Sequence, residues 1–195
     1  MIIGITGSIG CGKTTVSELF RERGFEVINI DQLYHDLIKP GSEVYKKITG
    51  KFGNSIINKD KTINRGALKK IVFADYKKLR ALNGLTHPSI IKEAEKIIKY
   101  LKKYGKPNIV IDAPLLLESN ARKLVDKIIV VKCREENQIK RVLKKNIHTK
   151  KQIENIIKSQ MPLDEKLKHA DFVIDNNKNL KYLSKQVINI IKKLK

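Results

Sequence analysis

Three glycines, a lysine and a threonine lie close together near the start of the chain. Residues 7–14, GSIGCGKT, match the spacing G-x-x-x-x-G-K-[ST], between an apolar run and a predicted helix. Glycine tolerates positive φ, so successive backbone N–H groups can turn inward around an anion, and the following helix adds its positive end. Lys13 would reach the β- and γ-phosphates of a nucleoside triphosphate, and the Thr14 hydroxyl would ligate Mg²⁺. The predicted phosphate contacts are Gly10, Cys11, Gly12, Lys13, Thr14 and Thr15.

Two aspartates follow predicted strands at the edge where open α/β sheets place their ligands. Asp31 ends the predicted strand 26–30, and a carboxylate there could accept the proton of an attacking hydroxyl or cap the helix behind it. Asp112 ends the predicted strand 108–112. It is the last residue of the apolar run IVID, just before a predicted turn. It could orient water on Mg²⁺, or serve as a strand-ending turn residue.

Three further side chains carry alternatives. Arg141 is one of few arginines in a lysine-rich chain and could fork onto phosphate oxygens, or lie on a solvated helix face. Cys11 could have a lowered pKa near a helix N-terminus, although filling a small-residue position is the favoured interpretation. His87 is interpreted as a cap or a packed polar residue rather than a catalyst.

The motifs discriminate between classes of nucleotide-binding protein. A GTPase would show N-K-x-D and D-x-x-G, but residues 58–61 read NKDK and Asp112 is followed by APL. A motor or translocating ATPase needs a larger core than five strands. A small-molecule kinase needs a carboxylate, an acceptor pocket and a mobile cationic cover, and each has a candidate here.

Short apolar strands separated by helical patterns predict an α/β fold with a parallel sheet covered on both faces. The predicted strands are 2–6, 26–30, 108–112, 127–132 and 172–175. The predicted helices begin near Lys13 and Pro88 and span 64–74, 135–145, 150–160 and 179–194. Gly24 is expected to end the first helix, and Ser42, Asn64 and Thr149 are predicted N-caps.

The spacing of the strands predicts how the chain is divided. About 75 residues separate the second and third strands, too many for a single crossover. We expect a nucleotide-binding core built from 1–31, 107–133 and 166–195. A helical acceptor-binding insert would span 32–106, and a basic helical lid would span 134–165.

Composition limits the choice of partners and setting. The 195 residues carry 41 Lys and Arg against 20 Asp and Glu, a net charge of +21 that favours anionic partners. The lysines are spread along the chain, so compositional drift and attraction of phosphorylated small molecules are favoured over specific nucleic-acid or membrane binding. Two distant cysteines outside any CxxC pair, with no leader or membrane span, favour the cytoplasm.

Later motifs extend the pattern along nearly the whole chain. GITGSIGCGKTTV and VINIDQLYHDLIKPGS are followed by INRGALKKIVFAD, LTHPSI, DAPLLLES, ENQIKR and SQMPLDEKLKHADFVIDNN. In this order they resemble the dephospho-CoA kinase family. The resemblance implies transfer of a phosphoryl group from ATP, with Mg²⁺, to the ribose 3′-hydroxyl of dephospho-CoA, the last step of coenzyme A synthesis.

The resemblance also implies residue roles. Asp31 would be the general base, Thr6 would lie near the reacting groups, and Arg141 would belong to the lid. The fold would be a nucleoside-monophosphate-kinase-like five-stranded P-loop sheet. Apart from the resemblance, a monomer or small homo-oligomer is expected.

The chain departs from the family pattern at three positions. Lys145 stands where many relatives have a second lid arginine, and lysine lacks the bidentate geometry of a guanidinium. Ile156 and Asn29 replace a frequent arginine and a second acidic residue. Two other functions stay open: a kinase for another acceptor, such as a nucleoside monophosphate or shikimate, and an ATP-dependent nucleic-acid binder.

Overall fold

The computed structural model describes residues 1–147 and 149–194, without the side chain of Phe73. The chain forms two compact units. One comprises Met1–Asn29 and Tyr100–Lys195, and the other comprises Ile30–Lys99.

Over the described residues the chain forms five strands and nine α-helices. The strands are β1 Ile2–Thr6, β2 Glu26–Asn29, β3 Ile109–Asp112, β4 Lys127–Lys132 and β5 Phe172–Asp175. The helices are α1 Lys13–Arg21, α2 Ile30–Leu37, α3 Glu43–Phe52, α4 Arg65–Phe73, α5 Tyr76–Lys103, α6 Glu135–Leu143, α7 Lys150–Ser159, α8 Leu163–Lys168 and α9 Leu180–Lys193. No described helix has both the length and the apolar character needed to cross a bilayer.

The first unit is built on a parallel sheet in the order β2-β3-β1-β4-β5, which confirms the predicted α/β class and all five strands. Every residue of β1 and β3 is buried, as expected for central strands covered on both faces. In register, Ile5 pairs with Asp112 and Thr6 pairs with Val130. Thr6 and Asp112 therefore reach the same carboxyl edge of the sheet.

Helices α1 and α9 share one apolar core with the sheet. Their buried residues in this core are Val16, Leu19, Phe20, Leu183, Val187 and Ile190. Phe20 meets Phe25 edge-on with the ring centres 5.1 Å apart. Gly24, at φ 84°, donates its N–H to the Arg21 carbonyl and closes α1 where the sequence predicted.

The second unit has its own core, formed by α2, α3, α4 and the first part of α5. Its buried members are Ile38, Val44, Ile48, Ile56, Ile63, Leu68, Val72 and Leu82. The predicted caps are confirmed, since Ser42 and Asn64 accept the N–H groups of Tyr45 and Ala67. In the first unit, Thr149 likewise caps α7 through a reciprocal bond with Gln152.

Two boundaries differ from the prediction. β2 ends at Asn29, so Asp31 does not end the strand but occupies the first turn of α2. There its charge complements the positive end of the helix, which favours early winding of the chain.

Helix α5 does not begin at Pro88 but runs through it from Tyr76. Proline lacks an N–H, and its ring meets the carbonyl four residues back, which here belongs to Gly84. Both residues are exposed, so this turn lies on the solvent side of the helix. The buried stripe continues on both sides of the proline, and Thr86 donates its hydroxyl to the Leu82 carbonyl.

Candidate active site

The loop between β1 and α1 is shaped by glycines in conformations that other residues avoid. Gly7, Gly10 and Gly12 have φ of 149°, 73° and 93°. A Cβ on Gly10 would lie 2.6 Å from the Gln138 carbonyl oxygen, and one on Gly12 would lie 2.1 Å from Asn176 Nδ2. The strand–loop–helix context that the phosphate-binding motif requires is therefore present.

Lys13 and Thr14 stand at the mouth of this loop. The Lys13 ammonium donates to the carbonyl oxygens of Gly7 and Ser8, at 3.0 and 3.2 Å. Phosphate oxygens carry more charge than these carbonyls and would be the stronger acceptors. Thr14 and Thr15 are exposed at the start of α1, where a hydroxyl can reach a ligand.

Asp112 is a buried carboxylate behind the loop. Its Oδ2 accepts the hydroxyl of Ser17, which projects from α1, at 3.1 Å. Only 3% of the residue is exposed. The contact places this carboxyl group beside the helix that begins with Lys13 and Thr14.

Arg141 reaches the same loop from α6. Its Nη2 donates to the Asn176 carbonyl oxygen at 2.8 Å, and its Nη1 lies 3.6 Å from Cys133 Sγ. A Cβ on Gly12 would lie 3.8 Å from Nη1. The guanidinium is therefore beside the phosphate loop rather than on a solvated helix face.

Thr6 is fully buried at the end of β1. Its hydroxyl donates to the Pro114 carbonyl oxygen at 3.1 Å. The segment behind β3 folds back over β1, where a Cβ on Gly4 would lie 2.4 Å from Leu116 Cδ2. Gly4 thus permits the close approach that brings Pro114 to Thr6.

Cys11 is a packed residue of the loop, not an activated thiol. Its side chain is buried, and burial raises the pKa of the thiol, while the nearby charges of Lys13 and Lys166 oppose that rise. The interpretation as a small space-filling residue agrees with this burial, and the lowered pKa is not found.

In the second unit, Asp31 acts electrostatically on His35, and Arg65 contacts the His35 ring. Arg65 Nη1 lies 3.0 Å from His35 Nδ1 and 2.9 Å from Nε2. Burial and then the Arg65 charge lower the pKa of His35, whereas the carboxylates of Asp31 and Asp36 oppose this shift. His87 is half-buried within α5, and desolvation lowers its pKa, so it is a packed residue of the helix rather than a cap at its start.

Sequence reasoning did not assign roles to two side chains that hold the phosphate loop. Asn176 Nδ2 donates to the Cys11 carbonyl oxygen at 2.8 Å, and Gln160 Oε1 accepts the Ile9 N–H at 3.1 Å. Asn176 follows β5 directly, at the ligand edge of the sheet, and that position was the available signal. Gln160 carries no such signal, because its contact depends on how the segment after α7 returns to the core.

Protein side chains alone do not form a metal cage in the described part of the chain. No group of three His, Cys, Asp or Glu there could hold an ion. Mg²⁺ is usually bound by one or two carboxylates together with substrate phosphates and water, rather than by an all-protein site. The Thr14 hydroxyl and the Asp112 carboxylate are of the oxygen type that this ion requires.

Comparisons with known proteins show which family the chain resembles over its length. A family model described as dephospho-CoA kinase matches residues 1–182. The dephospho-CoA kinase of Carboxydothermus hydrogenoformans is 43% identical over 194 residues, covering 100% of this chain and 94% of that protein. The crystal structure of TT1252 from Thermus thermophilus matches with a TM-score of 0.85 at 27% identity, over 100% of this chain and 98% of that one.

A second solved structure is similar over almost its whole length. The dephospho-CoA kinase from Campylobacter jejuni has a TM-score of 0.72 and 29% identity, over 99% of this chain and 96% of that one. The phosphate loop, the parallel sheet and the full-length matches lead to one conclusion: the chain belongs to the dephospho-CoA kinase family.

Proposed function

We propose that this protein transfers the γ-phosphoryl group of ATP to the ribose 3′-hydroxyl of dephospho-CoA, giving ADP and coenzyme A. The observation that carries the proposal is a phosphate-binding loop with its full strand–loop–helix context in a chain that matches this kinase family throughout. A nucleoside monophosphate, shikimate or nucleic acid as acceptor or partner has no comparable support.

Phosphoryl transfer asks a protein chiefly for positioning and charge stabilisation. The first backbone N–H groups of α1 and the positive end of that helix suit the ATP phosphates. Lys13 would exchange the carbonyls of Gly7 and Ser8 for β- and γ-phosphate oxygens. Arg141, already beside Gly12, would turn from the Asn176 carbonyl onto the charge that develops during transfer.

Mg²⁺ fits the oxygen groups at this loop. Thr14 would ligate the ion and Asp112 would orient its water, with Ser17 fixing the Asp112 carboxylate. When bound, the ion would neutralise charge on the β- and γ-phosphates.

Asp31 is proposed as the general base for the ribose hydroxyl. Its support is the carboxylate itself, its place two residues after β2 and its family context VINIDQ. Thr6 is proposed to lie near the transferred group, because it directly precedes Gly7. The insert 32–106 would bind the acceptor and the segment 134–165 would act as the lid, closing to exclude water as a competing acceptor.

A coupled ADP-release assay with Mg-ATP tests the function. The acceptor panel would contain dephospho-CoA, AMP, shikimate and a no-acceptor control. We expect ADP release with dephospho-CoA and loss of that release in Lys13→Ala. Release with AMP or shikimate instead would show that the acceptor is wrong.

The setting of the protein is a further part of the proposal. We expect a cytoplasmic monomer or small homo-oligomer without specific nucleic-acid binding, which the buried, unpaired Cys11 and Cys133 support. Size-exclusion chromatography with light scattering would give the oligomeric state.

A further inference from the structure

Lys166, in α8, is a lysine whose side chain is completely buried. Its Nζ donates to the Pro114 carbonyl oxygen at 3.0 Å and to Glu118 Oε1 at 2.9 Å. A buried ion pair is weak evidence for stability, because apolar residues of similar volume often serve as well. The contacts of these two acceptors show what else the ammonium holds in place.

The Pro114 carbonyl joins three parts of the nucleotide-binding unit. It accepts the Thr6 hydroxyl at 3.1 Å as well as the Lys166 ammonium. Thr6 directly precedes Gly7, and Pro114 follows Asp112 by two residues. One carbonyl therefore links the start of the phosphate loop, the segment behind Asp112, and α8. Because the Thr6 hydroxyl donates its proton to this carbonyl, its oxygen can only accept hydrogen bonds from other groups.

Glu118 makes a second link, to the segment that leads out of α7. Its Oε1 accepts the Met161 N–H at 3.1 Å in addition to the Lys166 ammonium. The neighbouring Gln160 accepts the Ile9 N–H of the phosphate loop. The return from the proposed lid is thus tied to the loop and to Lys166 at the same place.

We propose that Lys166 is a positioning residue for phosphoryl transfer, which acts through the Pro114 carbonyl on Thr6 and on the start of the phosphate loop. This inference rests on the proposed function. Without the ammonium, the Pro114 segment loses its tie to α8, and Thr6 loses the fixed orientation of its acceptor. Misplacement at this edge affects turnover more than ATP affinity, because the loop amides and Lys13 remain.

Helix α8 offers a matched control. Lys168 pairs with Glu165 at 2.7 Å, but both side chains are more than half exposed. Lys168→Met is the same substitution two residues away. It removes a positive charge and keeps an unbranched side chain of similar length. Exposed pairs of this kind contribute little to stability.

The experiment compares wild type, Lys166→Met, Lys168→Met and the double variant Lys166→Met/Glu118→Gln. Melting temperature, kcat and KM for ATP are measured with dephospho-CoA. The glutamine introduced at position 118 keeps an oxygen for the Met161 N–H but carries no charge, so the double variant separates charge compensation from positioning. Should Lys166→Met fail to fold, the double variant still tests the proposal.

We expect Lys166→Met to lower kcat by roughly tenfold to a hundredfold, the scale of small misplacements of reacting groups. Its KM for ATP should stay within about threefold of wild type. Its melting temperature should fall by roughly 6–20 °C, because Glu118 is left unpaired. The double variant should recover melting temperature but not kcat, and Lys168→Met should match wild type in both.

Two results would overturn the inference: a kcat for Lys166→Met within about twofold of wild type, or recovery of kcat in the double variant. The second result would mean that Lys166 serves only to compensate Glu118. Failure of the proposed function is detected separately, in the acceptor assay of the wild-type protein. If wild type uses another acceptor on the panel, the variants are compared with that acceptor, and if it uses none, both proposals are wrong.

Discussion

At the scale of single residues, the nucleotide site depends on groups that hold one another rather than on isolated side chains. Asn176 illustrates this. Its side-chain amide donates to the Cys11 carbonyl, and its backbone carbonyl accepts a hydrogen bond from Arg141. The end of β5 thereby connects the phosphate loop to the arginine proposed to act on it. A substitution at Cys11, Asn176 or Arg141 is therefore expected to disturb the positions of the other two residues.

Asp31→Asn tests the proposed base. The amide cannot accept a proton, so kcat should fall by roughly a hundredfold or more, the scale of general acid–base catalysis. The affinity for ATP should be kept, since the phosphate loop is untouched. Steady-state kinetics and ATP titration check both, and turnover within a few-fold of wild type would refute the assignment.

Gly12→Ala tests the shape of the loop. An alanine would have to adopt φ 93° and place its Cβ 2.1 Å from Asn176 Nδ2, so we expect ATP binding to be lost. Gly24→Ala is the matched control: its φ of 84° is similar, but no atom lies within 4 Å of a Cβ there. Calorimetric titration with ATP should therefore show binding in Gly24→Ala, at a stability cost of about 1 kcal/mol. Equal loss of binding in both variants would contradict the role of the close contact.

At the scale of elements, α5 shows tertiary packing overriding a local breaking signal. Proline in a helix interior costs about 3 kcal/mol, yet the helix continues past Pro88. The buried residues Leu82, Ile90, Ala94 and Ile98 hold one face of the helix on both sides of it. Because Gly84 and Pro88 are both exposed, water can reach the turn where the helical bond is lost.

Pro88→Ala should therefore stabilise the protein. It restores an N–H for the Gly84 carbonyl and removes the ring, with a gain of roughly 1–3 kcal/mol, reduced by the greater freedom of the unfolded chain. Thermal and urea unfolding would measure the gain. Pro40→Ala, outside any helix, should show no such increase, and a lower melting temperature for Pro88→Ala would contradict the explanation.

The elements that could be predicted are those with a strong local signal. All five strands were found within one residue, since each is a short apolar run bounded by turn residues, and the Asn64 and Thr149 caps have local chemistry. Two predicted boundaries were wrong. Helix α5 does not start at Pro88, because packing carries the helix through the proline, and Asp31 does not end β2, because the chain already winds into α2 there. In the site, the phosphate loop was readable from its spacing, whereas the contacts of Gln160 and Lys166 arise only when distant segments meet.

At the scale of the whole molecule, the lowered pKa values of His35 and His87 affect how stability responds to pH. Desolvation lowers the pKa of both His35 and His87 in the folded chain, below the ordinary 6.5. The unfolded chain then takes up protons more readily than the folded chain as the pH falls below 6.5. The free energy of unfolding is full above that pH and declines as the pH falls towards the folded pKa values.

His87→Gln should flatten this decline. Melting temperatures measured between about pH 7.5 and pH 5 should fall less in the variant than in wild type, because one protonation difference has been removed. His169→Gln, at an exposed position after α8, is the control and should follow wild type. A slope unchanged by His87→Gln would contradict the role given to His87.

The lowered pKa values of Asp36, Asp60 and Asp171 act in a separate pH range, with stability lost as the pH falls below about 3.8.

The central position of β1 has a consequence for how the protein is made. This strand is synthesised well before its partners in the sheet, which begin only at Ile109 and Lys127. At roughly 5–20 residues per second, about 5–20 s pass before the first neighbour is synthesised. The phosphate loop attached to β1 is thus made well before the strands that hold β1 in the sheet. Until then, the apolar residues of β1 depend on the nascent chain or a chaperone for cover.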